Sequence, residues 1–363
     1  MKFVDLFCGI GGISTGLKQA GYKLAFSVDN WKAAKLNHKS DKFYDFDLFN
    51  EKSQEKIIHK IQSESIDLLI GGPPCQGFST LGKRSIKDRR NTLVDIFLKI
   101  ISKSKPNFVI IENVRGLKTM DHPNGLKFDV HIKKTLRSKA NGYIVNTIIL
   151  DGLSFGMAQN RKRIFYIAIK KTRLKIKSEQ LSLLILKYIN SKKQKSKTLK
   201  DIIFDLPKVE SGDTCTNKNI FNHTPFNHGL DIVNRIKCVP PGGGLQDIPD
   251  KLLNNHLLKM KNGGYGSGGF VKNVYGRLEW NKPSGTIIAG VRKITCGRLF
   301  HPESNRLLTV RECARLQTLP DDMEIYGSIT EQYTLVGNAV PPLFSKILGN
   351  LILHLISKGY INE

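Results

Sequence analysis

The sequence predicts an α/β protein: a doubly wound, mostly parallel sheet of Rossmann-like type, with a smaller irregular second domain. Two observations carry this. Short Val-, Ile- and Phe-rich runs alternate with helix-compatible pieces through the first half of the chain, and the alternation stops near Lys170, where lysine, glycine and proline take over. A third observation fixes the orientation of the fold. The first run ends in a glycine-rich turn, as a ligand-binding crossover does.

The strand runs are KFVDLF (2–7), KLAFSVD (23–29), SIDLLIGG (65–72), NFVIIENV (107–114), YIVNTIILD (143–151) and RIFYIAIK (163–170), and FYDFDLF (43–49) adds a further strand region. Between them Ile13–Ala20, Trp31–Asn37 and Thr92–Ser104 are compatible with helices. The stretch from Lys170 to Asp201 is lysine-dense with an amphipathic centre and reads as a bridge between domains. Residues from about 200 to 325 show no strand–helix rhythm and hold VPPGGGLQD, KNGGYGSGGF and WNKPSG, loops suited to recognition. LFSKILGNLILHLISKG (343–359) is too apolar to stand alone and is expected to pack back on the first domain. The expected division is 1–170 with 326–363 as the catalytic domain and 171–325 as the small domain.

Lysine and arginine number 57 against 31 aspartates and glutamates, a formal net charge of +26. That excess favours a polyanionic partner, nucleic acid first, although an AT-rich genome produces the same lysine drift. No apolar run reaches the ~20 residues of a membrane span. The N-terminus runs directly into strand and turn signals, so no leader peptide is expected. The six cysteines form no C-x-x-C pair, which points to a reduced cytosolic protein without a metal centre.

In DLFCGIGGIS, Gly9, Gly11 and Gly12 permit a tight turn and close ligand approach. Asp29 ends the next strand run, where an acid binds a ribose hydroxyl pair, and Asp47 is placed to accept from an adenine amino group. The turn has no basic residue to meet a pyrophosphate, so an adenosyl cofactor without phosphate fits better than a dinucleotide. The same residues would also serve as an ordinary turn and two solvated strand-end acids. In GGPPCQGFST the glycines and prolines stop a buried strand and hold Cys75 on a stiffened loop, either a packed thiol or a presented nucleophile.

PPCQGFS (73–79), ENV (112–114), QNRKRIF (159–165), RLLTVRECARLQTLPDD (306–322) and GNAVPP (337–342), in this order after DLFCGIGG, closely resemble the DNA (cytosine-5)-methyltransferase family of bacterial and phage restriction–modification type. Only about 171–280 lies outside the resemblance, and that stretch corresponds to the family's variable target-recognition region. The resemblance implies a sequence-specific enzyme that flips cytosine out of double-stranded DNA and methylates C5 from S-adenosylmethionine. Cys75 is then the nucleophile and Glu112 the acid that reads the base, with Arg163 near O2 and Arg161 in support. Phe7, Gly9, Gly11, Asp29, Asp47, Phe78, Asn338 and Val340 map to the cofactor pocket. Asn30 stands where the family commonly has an adenine-stacking aromatic, and Trp31 follows it.

The chemistry explains these residue types. C5 of cytosine is a poor nucleophile until a thiolate adds to C6 and makes C5 an enamine carbon. A cysteine attacks well and leaves well. Glu112 ends a buried strand, where desolvation should raise its pKa so that it protonates or hydrogen-bonds N3. A stacked base is out of reach, so it must rotate out. The polar basic stretch TLGKRSIKDRRN suits closure over DNA, with Lys83, Arg84, Arg89 and Arg90 meeting phosphates and Arg277 contributing from the second domain. A cognate restriction endonuclease is a genetic companion compatible with this layout, not a necessary physical partner. Competing readings are a tRNA cytosine-5 methyltransferase, whose Cys-Phe-Thr tripeptide is not found here, a non-catalytic DNA-binding relative, and a Rossmann oxidoreductase, which leaves Cys75, Glu112 and Arg163 unexplained.

Overall fold

The structure is a computed structural model. It describes residues 1–38, 42–74, 89–140, 142–263, 273–291, 294 and 297–362. Internal contacts divide the chain into two units: Met1–Asp151 with Lys162–Lys193 and Val340–Glu363, and Gly152–Arg161 with Gln194–Ala339. The small domain, expected to begin at 171, thus begins its main segment at Gln194, and residues 326–339 fall with it.

The first unit is built on one sheet of β1 (Lys2–Leu6), β2 (Lys23–Asp29), β3 (Phe43–Asp45), β4 (Leu68–Gly71), β5 (Phe108–Val114), β6 (Tyr143–Asp151) and β7 (Lys162–Lys170). Their order is β3-β2-β1-β4-β5-β7-β6. The pairings are parallel from β3 through β5, and β7 runs antiparallel to both of its neighbours. Val4, Leu6, Leu69, Ile70 and Val109 through Ile111 are buried, which is why the central strands read as continuous apolar runs rather than alternating ones.

The helices of this unit are α1 (Gly12–Gln19), α2 (Lys32–Asn37), α3 (Glu51–Ser63), α4 (Thr92–Ser104), α5 (Phe128–Arg137) and α6 (Ser178–Ser191). Two of them escaped the sequence reading. In α3 a lysine- and glutamate-rich surface hides a stripe of Ile57, Ile58 and Ile61, and Asn50 caps the start by accepting from Lys52 N–H. In α5 the buried stripe is only Phe128, Ile132 and Leu136, one residue per turn among lysines.

The lysine-dense bridge resolves differently from expectation. Its centre is α6, which buries Leu181, Ile185 and Ile189 and stacks Tyr188 against His354, so it belongs to the first unit. His354 lies on the C-terminal helix Pro342–Ser357, which packs on α1. That crossing needs Gly16: a Cβ there would stand 2.0 Å from the Pro342 carbonyl oxygen. The stretch Ile329–Ser357 is long and apolar enough to cross a membrane by composition, against the expectation that none is, but it forms separate helices on either side of Ala339–Pro341, and 67 % of its most apolar window is buried.

The second unit has little regular structure. Short helices such as Val310–Leu316 and Ile329–Asn338 start with capping boxes, Thr309 with Glu312 and Ser328 with Glu331. Its interior also holds a buried ion pair: Arg306 donates from both terminal nitrogens to the Glu312 carboxylate at 2.8 and 2.9 Å.

Candidate active site

Two clusters gather at the carboxyl ends of the parallel strands of the first unit, where open α/β sheets bind ligands. The first surrounds the turn after β1. Phe7 has φ 61°, and Gly9 and Gly11 have φ 51° and 85°, so the chain passes three times through the left-handed region before α1 begins. Phe7 is held there by an edge-on contact with Phe97 at 6.0 Å. Asp29 at the end of β2 accepts Gly9 N–H on Oδ2 and Trp31 N–H on Oδ1, both at 2.9 Å. It therefore fastens the turn to the second strand, and each oxygen keeps a lone pair for a ligand hydroxyl. Among the described residues, a Cβ built on Gly9 meets nothing within 4 Å. Asp47 is exposed, and its Oδ1 accepts Phe49 N–H at 2.9 Å. The turn itself, Phe7 to Gly12, carries no lysine or arginine.

His38 also belongs to this cluster, and the sequence reading missed it. Its Nε2 lies 2.9 Å from the Gly9 carbonyl and 3.6 Å from Cys8 Sγ, with its ring stacked on Phe43. Burial holds its pKa below the usual imidazole value. No spacing rule links a lone histidine to a turn 29 residues earlier. Burial also pushes the Cys8 thiol well above its usual range, which makes it a packed thiol.

The second cluster lies on β4, β5 and β7. Glu112 Oε1 sits 3.0 Å from Arg163 Nε, with the two side chains only 10 % and 15 % exposed. The strand register explains the pairing. Val114 is opposite Arg163 and Phe165 is opposite Glu112, so the two charges meet diagonally on one face. Gly72 makes room for the carboxylate: a Cβ there would lie 2.8 Å from Glu112 Oε2. Asn113 points to the other side and donates from Nδ2 to the Pro73 carbonyl at 3.3 Å, bracing the proline pair that precedes Cys75.

Other expected site residues stand elsewhere. Cys75, Phe78, Lys83 and Arg84 lie outside the described residues. Arg89 is exposed, with its guanidinium 4.3 Å from the centre of the Phe49 ring, and Arg90 is exposed beside it. Asn338 is the exposed last residue of its helix in the second unit, and Val340 is buried in the first.

Two of the expected arginines turn inward. Arg161, expected in support of Arg163, is 1 % exposed, and its terminal nitrogens donate to the carbonyls of Ile287, Gly337 and Ala339 within the second unit. It orders backbone rather than facing a substrate. Arg277, expected at a phosphate, is 4 % exposed and donates to the carbonyls of Ile236, Val239, His301 and Ser304 and to Asn305 Oδ1. A guanidinium has five N–H donors, and this one directs them inward.

Comparison with known proteins agrees with this arrangement. The profile of C-5 cytosine-specific DNA methylases matches residues 1–354. The chain is 31 % identical to the Type II methyltransferase M1.HphI of Haemophilus parahaemolyticus over 98 % of its own length and 87 % of that protein's. It is also 31 % identical to the Type II methyltransferase M.Sau96I of Staphylococcus aureus, over 98 % and 76 %. Among solved structures it resembles a prophage-encoded DNA modification methyltransferase of Escherichia coli, with TM-score 0.68, 21 % identity and coverage of 98 % and 99 %. The S. pombe Dnmt2 methyltransferase superposes with TM-score 0.62 at 16 % identity, covering 99 % of both chains. At such identities the structural likeness speaks for the fold alone: a seven-stranded Rossmann-like methyltransferase sheet.

Proposed function

Because the chain belongs to the C-5 cytosine-specific DNA methylase family and is a DNA cytosine-5 methyltransferase of the Type II restriction–modification kind, we propose that it acts on a cytosine rotated out of the duplex, with Cys75 as its nucleophile. The observation that carries this reading is the Glu112–Arg163 pair beneath Gly72, three residues before Cys75 in the chain. A carboxyl group and a donor fork, fixed side by side, suit cytosine: the carboxyl accepts from the exocyclic amine and, when protonated, donates to N3, and the fork donates to O2.

The Cys75 sulfur forms a bond to C6, and the electron pair of the C5–C6 double bond becomes available at C5. Glu112, protonated, donates to N3, where negative charge develops, and with its other oxygen accepts from the exocyclic amine. Arg163 orients Glu112 and donates towards O2. When bound, S-adenosylmethionine supplies an electrophilic methyl group, and the glycine turn with Asp29 and Asp47 would hold it. Loss of the C5 proton then restores the ring and expels the thiolate. The net charge of +26 supports a duplex partner, and the Type II kinship supports an endonuclease of matching specificity as genetic companion.

Bisulfite sequencing of DNA from a host that expresses the chain tests the reading. Protection of cytosines in one short sequence context, lost with Cys75→Ala, is expected. Full conversion at every cytosine would overturn it.

A further inference from the structure

Away from the methylation site, the first unit brings together two histidines and an aspartate. Asp95 lies in the first turn of α4, His131 on α5, and His122 in the turn that Asp121 and Lys127 close by bridging. His122 Nε2 is 3.0 and 3.2 Å from the two Asp95 oxygens, and His131 Nε2 is 2.8 Å from Oδ1. The imidazoles stack at 3.9 Å with 15° between their planes, and Phe128 holds His122 edge-on at 4.8 Å. The histidine side chains are 9 % and 18 % exposed and that of Asp95 is 39 % exposed, so solvent reaches the cluster from the carboxylate side.

We propose that Asp95, His122 and His131 form a binding site for a borderline divalent metal ion of the zinc class. One ligand atom from each residue lies within 4.8 Å of the others. A tetrahedral ion with ligands at ~2.0–2.1 Å separates them by about 3.3 Å. The nitrogen–oxygen distances already fall slightly below that figure, but the rings lie nearly parallel at 3.9 Å, so at least one imidazole must rotate out of the stack for both Nε2 atoms to meet one ion. Two imidazole nitrogens favour zinc, cobalt or nickel over magnesium or calcium, which take oxygen. Three protein ligands leave the fourth position to water. The ion would tie the start of α4 to the His122 turn and α5, a staple of the first unit rather than a part of methyl transfer.

Asn124 sets the affinity. Its backbone N–H donates to His122 Nδ1 at 3.2 Å, and its side-chain Oδ1 accepts Leu126 N–H, which turns Nδ2 towards His131 Nδ1 at 3.0 Å. Without metal, both rings therefore carry their proton on Nε2 and donate it to Asp95, a complete hydrogen-bonded clamp. Coordination through Nε2 moves each proton to Nδ1, where it meets a donor instead of an acceptor. The metal displaces this proton arrangement, and Asn124 weakens its binding. Asn124→Asp offers His131 Nδ1–H a carboxylate, the usual partner of a metal-bound histidine, and such partners change affinity about 10–100-fold.

The test is titration of untagged full-length protein with Co²⁺, read by visible absorption and reversed by Zn²⁺. One Co²⁺ per chain is expected, with ligand-field bands and no thiolate charge-transfer band, which separates this site from the cysteines. Asp95→Asn and His131→Ala should weaken binding at least tenfold with circular dichroism unchanged. Asn124→Asp should tighten it at least tenfold, a gain that misfolding cannot imitate. Wild-type protein that binds no Co²⁺, binding that survives the His122→Ala/His131→Ala double substitution, or no gain in Asn124→Asp would overturn the proposal. In the first case the trio is a proton-filled clamp only.

Discussion

Arg163 Nε lies 3.0 Å from Glu112 Oε1 across the antiparallel β5–β7 pairing, and neither side chain is more than 15 % exposed. The salt bridge makes each residue a condition of the other's position. Arg163→Ala leaves a carboxylate in a nearly closed site, which is expected to destabilise the first unit by roughly 3 kcal/mol. Glu112→Gln keeps the shape and removes the charge. It leaves the Arg163 charge without its carboxylate, so it should also destabilise, by about 1–3 kcal/mol, while lowering kcat by about 10²–10⁴. Denaturant midpoints and single-turnover methyl transfer separate the two effects. Equal turnover in Glu112→Gln and wild type would remove Glu112 from the reaction.

Gly72 is the contact through which the strand before Cys75 touches this pair. In Gly72→Ala the new Cβ lies 2.8 Å from Glu112 Oε2, so the carboxylate or the β4 end must shift. A displacement of this size in a positioned group is expected to cost about 10²-fold in rate, with little change in melting temperature. An active Gly72→Ala enzyme would show that the carboxylate tolerates movement.

The sheet was legible because its strands are Val-, Ile- and Phe-rich: the buried parallel ones lie in the apolar runs KFVDLF, KLAFSVD and NFVIIENV, and YIVNTIILD and RIFYIAIK lie in the antiparallel pair β6 and β7. Helices α3 and α5 were not: α3 buries its isoleucines only in its second half behind lysines and glutamates, and α5 buries one apolar residue per turn among lysines. For the site, the motifs pointed to Glu112, Arg163, Gly9 and Asp29, which the fold holds at strand ends and in one turn. They did not show that Arg161 and Arg277 turn inward, because a motif does not say whether a guanidinium faces out or in. His38 and Gly72 act through space, and their partners are invisible in one dimension.

The inward guanidinium of Arg277 yields a test of the electrostatic reading. Arg277→Lys should leave the slope of log K against log salt for DNA binding unchanged, and should destabilise the second unit by roughly 3 kcal/mol through several lost carbonyl bonds. Arg89→Ala should reduce that slope by about one if the exposed guanidinium meets a phosphate. A slope that falls with Arg277→Lys in still-folded protein would return Arg277 to the interface.

Two buried groups give the units opposite responses to pH. Burial pushes Asp5 up to about 7 from 3.8, despite a 2.7 Å hydrogen bond from Ser14. The folded state holds this proton where the unfolded chain releases it. The stability Asp5 contributes is therefore complete below pH 3.8 and is lost as pH rises through about 7. Burial drives His301 in the second unit down to about 4 from 6.5, so its contribution is complete above pH 6.5 and is lost as pH falls towards 4. Asp5→Asn should raise stability at pH 8 by about 1–3 kcal/mol and flatten the first response, and His301→Gln should flatten the second. Urea midpoints from pH 4.5 to 8 check both. An unchanged pH profile in either variant contradicts the assignment for that group.

The most direct measurement uses a duplex whose target cytosine carries fluorine at C5, incubated with the protein and S-adenosylmethionine. Fluorine cannot leave as a proton does, so the C6–sulfur bond should persist. A conjugate that survives denaturing electrophoresis is expected with wild-type protein, is slower to form with Glu112→Gln, and is absent with Cys75→Ala. If no conjugate forms on a duplex whose unfluorinated counterpart the enzyme methylates, the covalent account is contradicted.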